Sequence, residues 1–224
     1  MQTCLAAFPI LRRCLAIALI AATASGSVLA QTYDFKRFVS GGGGGTDPQK
    51  KAIAQQAGAF VCLGVGPGPS GNDVRFTVLS KIPQPRSRIT AVAFDVGRHT
   101  GLFSDMTVSL ASSGVTANVV PGMPHPFLSA LSPKFWVNVP HRSHVTQDGL
   151  IPGKMIVISA KLGAGKTLSD VFNALNEGLD PTTGARGLRV GVIILYLLGG
   201  PPPGVATIQD DGGFLMTAPS GVCR

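Results

Sequence analysis

The sequence predicts an all-β fold, mainly an antiparallel β-sandwich, with one short helix. Three observations lead to this prediction. Short segments that are apolar, or that alternate apolar with polar residues, recur from residue 60 onward; glycine- and proline-rich turns separate them; and long amphipathic helical patterns are almost absent. About eight to ten short strands with such turns are typical of two packed antiparallel sheets.

The strands are predicted where apolar segments stand between turns. Alternation, as in Val74–Val78, indicates a strand with one buried and one exposed face. Apolar residues on both faces, as in Met155–Leu162, indicate a central strand. The predicted strands are Phe60–Val65, Val74–Val78, Ile89–Val96, Met106–Leu110, Val115–Val120, Phe135–Val139, Met155–Leu162, Leu188–Leu198 and Phe214–Thr217.

A single segment follows the helical period instead. Thr167 with Asp170 three residues later forms a capping-box pattern at its start. Gly178 stands where a left-handed residue is expected just past the helix end. The apolar residues lie at i, i+3, i+4 and i+7 and so share one helical face: Leu168, Val171, Phe172 and Leu175.

The helix is preceded by Gly165-Lys166-Thr167, which resembles the end of a phosphate-binding loop. That loop requires another glycine five residues before Gly165, and the chain has Ala160 there. A nucleotide fold also needs repeated βαβ units around a parallel sheet, which the strand-rich pattern does not provide. The glycines are therefore interpreted as a strand-to-helix turn with Thr167 as the cap, and no nucleotide is expected as a partner.

The first thirty residues have the layout of a Sec-type secretory signal. Arg12 and Arg13 are followed by the apolar stretch Cys14–Ala22, and small residues lead to Val28–Ala30. We expect cleavage before Gln31, because the apolar stretch is shorter than the about 20 residues that a membrane span needs. The protein is therefore predicted to be secreted or periplasmic, with no membrane span after cleavage.

Residues 31–46 are predicted to be a flexible tether and residues 47–224 the sandwich domain. The tether prediction rests on the five consecutive glycines Gly41–Gly45, whose ordering costs much backbone entropy. Without residues 1–30 the chain keeps 17 of its 19 basic residues and all 11 acidic ones, which leaves a net charge of +6. The basic residues form no stripe with interleaved aromatics, so nucleic acid is not expected as a partner.

Two cysteines, Cys62 and Cys223, remain after the predicted cleavage. In an oxidising compartment two remaining thiols usually pair, so a Cys62–Cys223 disulfide is predicted. The alternative is two unpaired, buried thiols. A bridge would join the C-terminus to the first strands and, in the chain-entropy model, would stabilise the fold by about 4–5 kcal/mol.

Two groups of residues could hold a metal ion. His125, His141 and His144 include two imidazoles at the i, i+3 spacing of some zinc sites, although Pro140 next to them favours a loop. The pair Asp210–Asp211 is followed by two glycines; a hairpin turn is favoured over a Ca²⁺ site, which needs six to eight oxygens. We predict no bound metal and no cofactor, and keep a metal-dependent extracellular hydrolase as the alternative function.

Catalytic patterns are otherwise missing, and one ligand platform is a candidate. No serine lies in the G-x-S-x-G motif, and Glu177 is the only glutamate, which excludes a paired-glutamate glycosidase but not one with two aspartates. In the strand Phe135–Val139, alternation places Trp136 and Asn138 on the same face. If that face is exposed, the indole could stack on a sugar ring; the alternative is that Trp136 packs beneath a proline-rich loop.

Several strand and helix segments resemble a group of secreted bacterial β-sandwich proteins. The resemblance is carried by Ile89–Asp95, Leu150–Lys154, Thr167–Gly178 and Leu188–Val192, and it covers roughly residues 89–195. Many proteins of that group carry a PEP-CTERM sorting tail and are thought to associate with extracellular polysaccharide. The group has no established catalytic residues to carry over. The last residues here, Gly221–Arg224, contain no such tail, so sorting by that route is not expected.

The predicted function combines these points. The export signal, the absence of a convincing catalytic set and the resemblance favour a secreted, non-catalytic protein that binds or scaffolds extracellular or envelope polysaccharide. No catalytic residue is assigned.

Overall fold

The computed structural model describes residues 30–35, 37–41, 60–82, 88–122, 128, 130–140, 149–179, 186–197 and 209–215. These residues form eleven strands and one helix, α1 (Leu168–Leu179). The strands are β1 (Gln31–Asp34), β2 (Arg37–Gly41), β3 (Val61–Pro67), β4 (Asp73–Ser80), β5 (Arg88–Asp95), β6 (Phe103–Ala111), β7 (Asn118–Pro121), β8 (Phe135–Asn138), β9 (Met155–Leu162), β10 (Arg189–Leu197) and β11 (Gln209–Leu215).

The strands form two antiparallel sheets that pack face to face. The five-stranded sheet has the order β1-β3-β4-β9-β6, and the six-stranded sheet has the order β2-β11-β10-β5-β8-β7. Each strand pairing in both sheets is antiparallel. The predicted fold class, a mainly antiparallel all-β sandwich with one short helix, is confirmed.

The alternation of β4 shows how the sequence makes a sandwich strand. Val74, Phe76 and Val78 are fully buried and belong to the main core cluster between the sheets. The residues between them lie on the opposite face, where Arg75 is exposed. The Phe76 ring makes edge-to-face contacts with Phe94 of the other sheet at 5.0 Å and with Phe103 at 5.8 Å. This aromatic cluster joins the two layers.

The predicted tether is wrong for the residues that the structure describes within it. Residues 31–34 form β1 at the edge of the five-stranded sheet, and residues 37–41 form β2, which pairs with β11 in the other sheet. The side chains of Tyr33 and Phe35 are fully buried in the core. The burial of these two rings offsets the backbone entropy that is lost when the segment becomes ordered. The tether prediction rests on the glycines alone and does not include this burial. Residues 42–46 lie outside the described residues.

The helix prediction is confirmed, with a correction at its end. The Thr167 backbone N–H donates to Asp170 Oδ2 at 2.8 Å and the Asp170 N–H donates to Thr167 Oγ1 at 3.3 Å, which is the predicted reciprocal cap. The helix runs on to Leu179, so Gly178 lies inside its last turn. A Cβ at Gly178 would lie 2.1 Å from the Leu188 carbonyl oxygen, so glycine there permits the close approach of the chain entering β10.

The strand before the helix is an interior strand, as predicted. The strand β9 pairs with β4 on one side and with β6 on the other, both antiparallel. Gly165 follows it with a φ of 70°, in the left-handed region, and the Lys166 N–H donates to the Gly163 carbonyl at 3.0 Å. The Gly-Lys-Thr stretch therefore turns the chain from an antiparallel strand into a capped helix, in agreement with its interpretation as a turn.

Candidate functional site

The outer face of the five-stranded sheet carries a row of polar side chains across three strands. The register places Arg75 of β4 opposite Ser159 of β9, and Ser159 opposite Thr107 of β6. All three lie on the face away from the core, because Phe76, Ile158 and Met106, next to them along the strands, are core residues. The pleat therefore brings together residues that are 32 to 84 positions apart in the sequence.

Two residues of this row, Arg75 and Ser159, line a shallow groove of about 250 Å³. A register shift between Val108 and Leu110 places an extra residue in β6, and as a result Ser109 and Leu110 are both exposed. Leu110 is 52% exposed, more than any other large apolar side chain whose burial the structure describes. The groove is lined by Pro69, Arg75, Ser109, Leu110, Val157 and Ser159.

The two serine hydroxyls are oriented by a short chain of hydrogen bonds. Ser159 Oγ donates to Ser109 Oγ at 2.9 Å, and Ser109 Oγ donates to the Val157 carbonyl at 3.2 Å. Each hydroxyl has one hydrogen, and both hydrogens are used in these two hydrogen bonds. The two oxygens keep lone pairs that can accept hydrogen bonds, whereas the Arg75 guanidinium has only donors to offer.

The charges around the groove are distributed unevenly. A neighbouring row of residues crosses the same three strands. In this row, Lys161 of β9 pairs with Asp73 of β4 on one side and with Asp105 of β6 on the other. Asp73 also accepts a hydrogen bond from Ser70 Oγ at 2.6 Å. Arg75 forms no salt bridge or hydrogen bond with another residue of the described part of the chain. The groove therefore contains one positive charge without a carboxylate partner there, next to a row whose charges are mixed.

The outer face of the six-stranded sheet is covered around Trp136, and this corrects the platform proposed for Trp136 and Asn138. Trp136 is only 6% exposed and belongs to a second apolar cluster with Leu128 and Leu131. Asn138 is exposed, as alternation predicted. The indole offers no stacking face to a sugar ring, because residues of the segment between β7 and β8 lie over it. The alternative interpretation, packing beneath a proline-rich loop, agrees with this arrangement.

The covering segment is held by a buried carboxylate that sequence reasoning missed. Asp95, 4% exposed at the end of β5, accepts hydrogen bonds from Arg189 Nη2 and from the Ser132 N–H at 3.1 Å through Oδ2. Its Oδ1 accepts from the Gly97 N–H at 3.0 Å. One side chain thus joins β5, β10 and the covering segment. Asp95 and Arg189 are 94 positions apart in the sequence, so no local sequence pattern could reveal this pair.

A second cluster that sequence reasoning missed lies beside α1. The His99 Nε2 and Glu177 Oε2 atoms are 2.8 Å apart, and Arg98 Nη2 lies 2.8 Å from Glu177 Oε1. The hydrogen bond with His99, followed by the charge of Arg98, holds the pKa of Glu177 below its ordinary value of 4.5. These contacts fasten the helix to the turn between β5 and β6. Because both carboxylate oxygens are engaged, the cluster is interpreted as structural.

The remaining predicted site residues lie partly outside the described residues. Cys62 lies on β3 and is 5% exposed, but Cys223 is outside the described residues, so the disulfide stays a prediction. His125, His141 and His144 are also outside them. Within the described part of the chain, no group of three His, Cys, Asp or Glu side chains is placed to hold a metal ion.

The interpretation of Asp210–Asp211 as a hairpin turn is wrong. Both residues lie within β11, where Asp210 pairs with Tyr196 and Asp211 with Leu195 of β10. The following glycines, Gly212 and Gly213, continue the same ladder rather than reverse the chain. The pairing with a long apolar strand outweighs the turn preference of the local Asp-Gly sequence.

Comparisons with known proteins add no family or relative. No protein-family model, curated protein or solved structure matches this chain. Among the residues that the structure describes, no helix combines the length and the apolar character needed to cross a membrane.

Proposed function

We propose that this chain is an exported, non-catalytic protein that binds extracellular or envelope polysaccharide on the outer face of its five-stranded sheet. The observation that carries the proposal is the groove in which the Arg75 donors face the Ser109 and Ser159 acceptors beside an exposed Leu110. We call this surface, with its other lining residues Pro69 and Val157, the open-face groove.

The chemistry of the open-face groove suits a sugar chain. A sugar ring carries hydroxyls that both donate and accept hydrogen bonds, and an apolar face of C–H groups. Arg75 supplies donors, the two serines supply acceptors, and Leu110 with Pro69 supplies apolar contact area. The groove is shallow and lies across the strands, so a long polymer could bind along it without having to thread through a closed pocket.

The position of the first described strand supports the export part of the proposal. The signal pattern predicts Gln31 as the first residue after cleavage, and β1 begins at Gln31. Cleavage there would keep the whole strand, including Tyr33, whose side chain is fully buried in the core. The sandwich would then fold with its N-terminal edge strand in place after export.

Binding by the protein without residues 1–30 tests the proposal. Immobilised polysaccharides, both neutral and acidic, are incubated with the purified chain, and retained protein is measured. We expect binding to at least one of them, with loss of most binding in Ser159→Leu, because the larger side chain occupies the groove and removes one acceptor. Ser159 faces outward on an interior strand, and leucine is compatible with a strand at that position.

The control is Thr116→Leu, which makes a similar exposed apolar change between β6 and β7, outside the groove lining. It should retain wild-type binding. Absence of binding to every polysaccharide tested, or equal losses in the Ser159 and Thr116 variants, would refute the proposal.

A further inference from the structure

We infer that the polysaccharide bound in the open-face groove is anionic, with Arg75 holding a carboxylate or sulfate group of the sugar chain. This inference rests on the proposed function and makes it more specific. It follows from the charge and the geometry of the groove.

Arg75 is placed to take an anionic group rather than to stabilise the fold. Its side chain is exposed and makes no salt bridge or hydrogen bond within the described part of the chain. Its position at the groove wall is fixed by β4, an interior strand paired with both β3 and β9. A guanidinium presents donors in a planar fork that matches the two oxygens of a carboxylate or sulfate.

The surroundings of Arg75 favour an anion over a neutral sugar. None of the six residues that line the groove is acidic, and Arg75 is the charged one. The neighbouring row has Asp73 and Asp105 in register on either side of Lys161, but neither carboxylate forms a salt bridge with Arg75 in the described part of the chain. A negative group at Arg75 would therefore meet a guanidinium that has no direct carboxylate partner there.

The hydroxyl pair sets the orientation of the rest of the sugar. While their hydrogens are used within the protein, the oxygens of Ser159 and Ser109 accept hydrogen bonds from sugar hydroxyls. A chain with one acidic group and several free hydroxyls per repeat matches this arrangement. A fully sulfated chain, in which few hydroxyls remain as donors, matches only the Arg75 end of the groove.

The test compares three immobilised polymers: polygalacturonate, dextran sulfate and neutral dextran. Equilibrium binding of the chain without residues 1–30 is measured by biolayer interferometry in 20 and 150 mM NaCl. We expect polygalacturonate to bind more tightly than dextran, and to weaken as salt rises, since salt screens an exposed charge pair. Dextran sulfate separates a requirement for carboxylate from one for any anion.

Substitutions at Arg75 test whether its charge is the one that binds the acidic polymer. Arg75→Gln should weaken polygalacturonate binding about tenfold, the typical effect of losing one charge-assisted hydrogen-bonded contact. Arg75→Lys should retain part of the binding, because the charge remains but the fork is lost. The matched control is Arg186→Gln, which removes another exposed arginine charge outside the groove.

The outcomes separate this inference from the function on which it rests. Equal binding to dextran and polygalacturonate, unaffected by Arg75→Gln, would overturn the inference and leave polysaccharide binding intact. Equal losses in the Arg75 and Arg186 variants would also overturn it, because the attraction would then come from the net charge alone. Absence of binding to all three polymers would overturn both. Circular dichroism of each variant confirms that the fold is retained.

Discussion

The outer face of the six-stranded sheet is covered around Trp136 by Leu128 and Leu131, whereas the outer face of the five-stranded sheet is open around Arg75 and Ser159. The strands of the two faces differ in pattern: β4 alternates buried core residues with more exposed ones, whereas β5 is buried along its whole length. A connecting segment lies over apolar outer residues of the six-stranded sheet, Ala91 and Ala93 among them. The protein's single tryptophan lies beneath that segment. Aromatic content is therefore a poor guide to the proposed binding surface.

The largest effect on the difference between the two faces is expected from removing the Asp95 carboxylate, which holds the covering segment. Asp95→Ala should lower the free energy of unfolding by about 3–5 kcal/mol, because it leaves the largely buried Arg189 charge without its partner. Chemical denaturation measures this loss. Asp105→Ala, an exposed aspartate of the open face, is the control and should change stability by less than about 0.5 kcal/mol. A loss below about 1 kcal/mol for Asp95→Ala would show that Asp95 does not hold the closed face.

A cavity in the covering segment should expose the tryptophan. Leu128 is 1% exposed and packs in the cluster with Trp136, so Leu128→Ala should cost about 2–4 kcal/mol. Because Trp136 is the only tryptophan, its fluorescence reports this face alone. The variant should show red-shifted emission and stronger acrylamide quenching. Unchanged emission and quenching would mean that Leu128 does not shield the indole.

The Glu177 cluster provides a probe of the helix attachment that belongs to neither outer face. Since the pKa of Glu177 is lowered in the folded protein from its ordinary value of 4.5, its ionised form stabilises the fold. This stabilisation is complete above that value and is lost as the pH falls through the lowered pKa. Glu177→Gln should therefore be less stable than the wild type at pH 7, with a difference that narrows below about pH 4.5.

Denaturation curves between pH 3 and 7 measure this effect, which should be smaller than the two preceding losses because the cluster is partly exposed. His99→Ala should move the pKa of Glu177 back toward its ordinary value, as followed by carboxyl NMR titration. A stability difference independent of pH would argue against the ionised carboxylate as the cause.

The smallest effect on stability is expected on the open face. Leu110 is 52% exposed, so Leu110→Ala should change the free energy of unfolding by less than about 0.5 kcal/mol. The same change should weaken polysaccharide binding, because it removes apolar contact area at the groove wall. Denaturation and binding measured on the same preparation separate the two effects. A large loss of stability would mean that Leu110 belongs to the core rather than to a binding surface.

The sequence could predict the elements but not their assembly across long distances. Alternation correctly placed Val74, Phe76 and Val78 in the core, and the spacing of Thr167 and Asp170 correctly marked the helix start. These are local signals, because they depend only on the strand or helix period.

The candidate site depends on contacts that no local signal carries. Arg75 and Ser159 meet through the register of β4 with β9, and that register is set by side chains along both whole strands. Alternation correctly separated Trp136 from Val137, yet it could not show that residues such as Leu131 cover the indole. The tether prediction rests on the glycines after Ser40 and does not account for Tyr33 and Phe35. The burial of those two rings depends on distant strands, so no local pattern indicates it.

Chemical-shift mapping of an acidic oligosaccharide tests most directly whether the open face is the binding surface. Isotopically labelled protein without residues 1–30 is titrated with a galacturonate oligomer and followed by two-dimensional NMR. We expect the largest shifts at the backbone amides of Arg75, Ser109 and Ser159, with the Trp136 indole signal unchanged. Shifts concentrated at Trp136 and Leu131, with the amides of β4, β6 and β9 unaffected, would contradict the account.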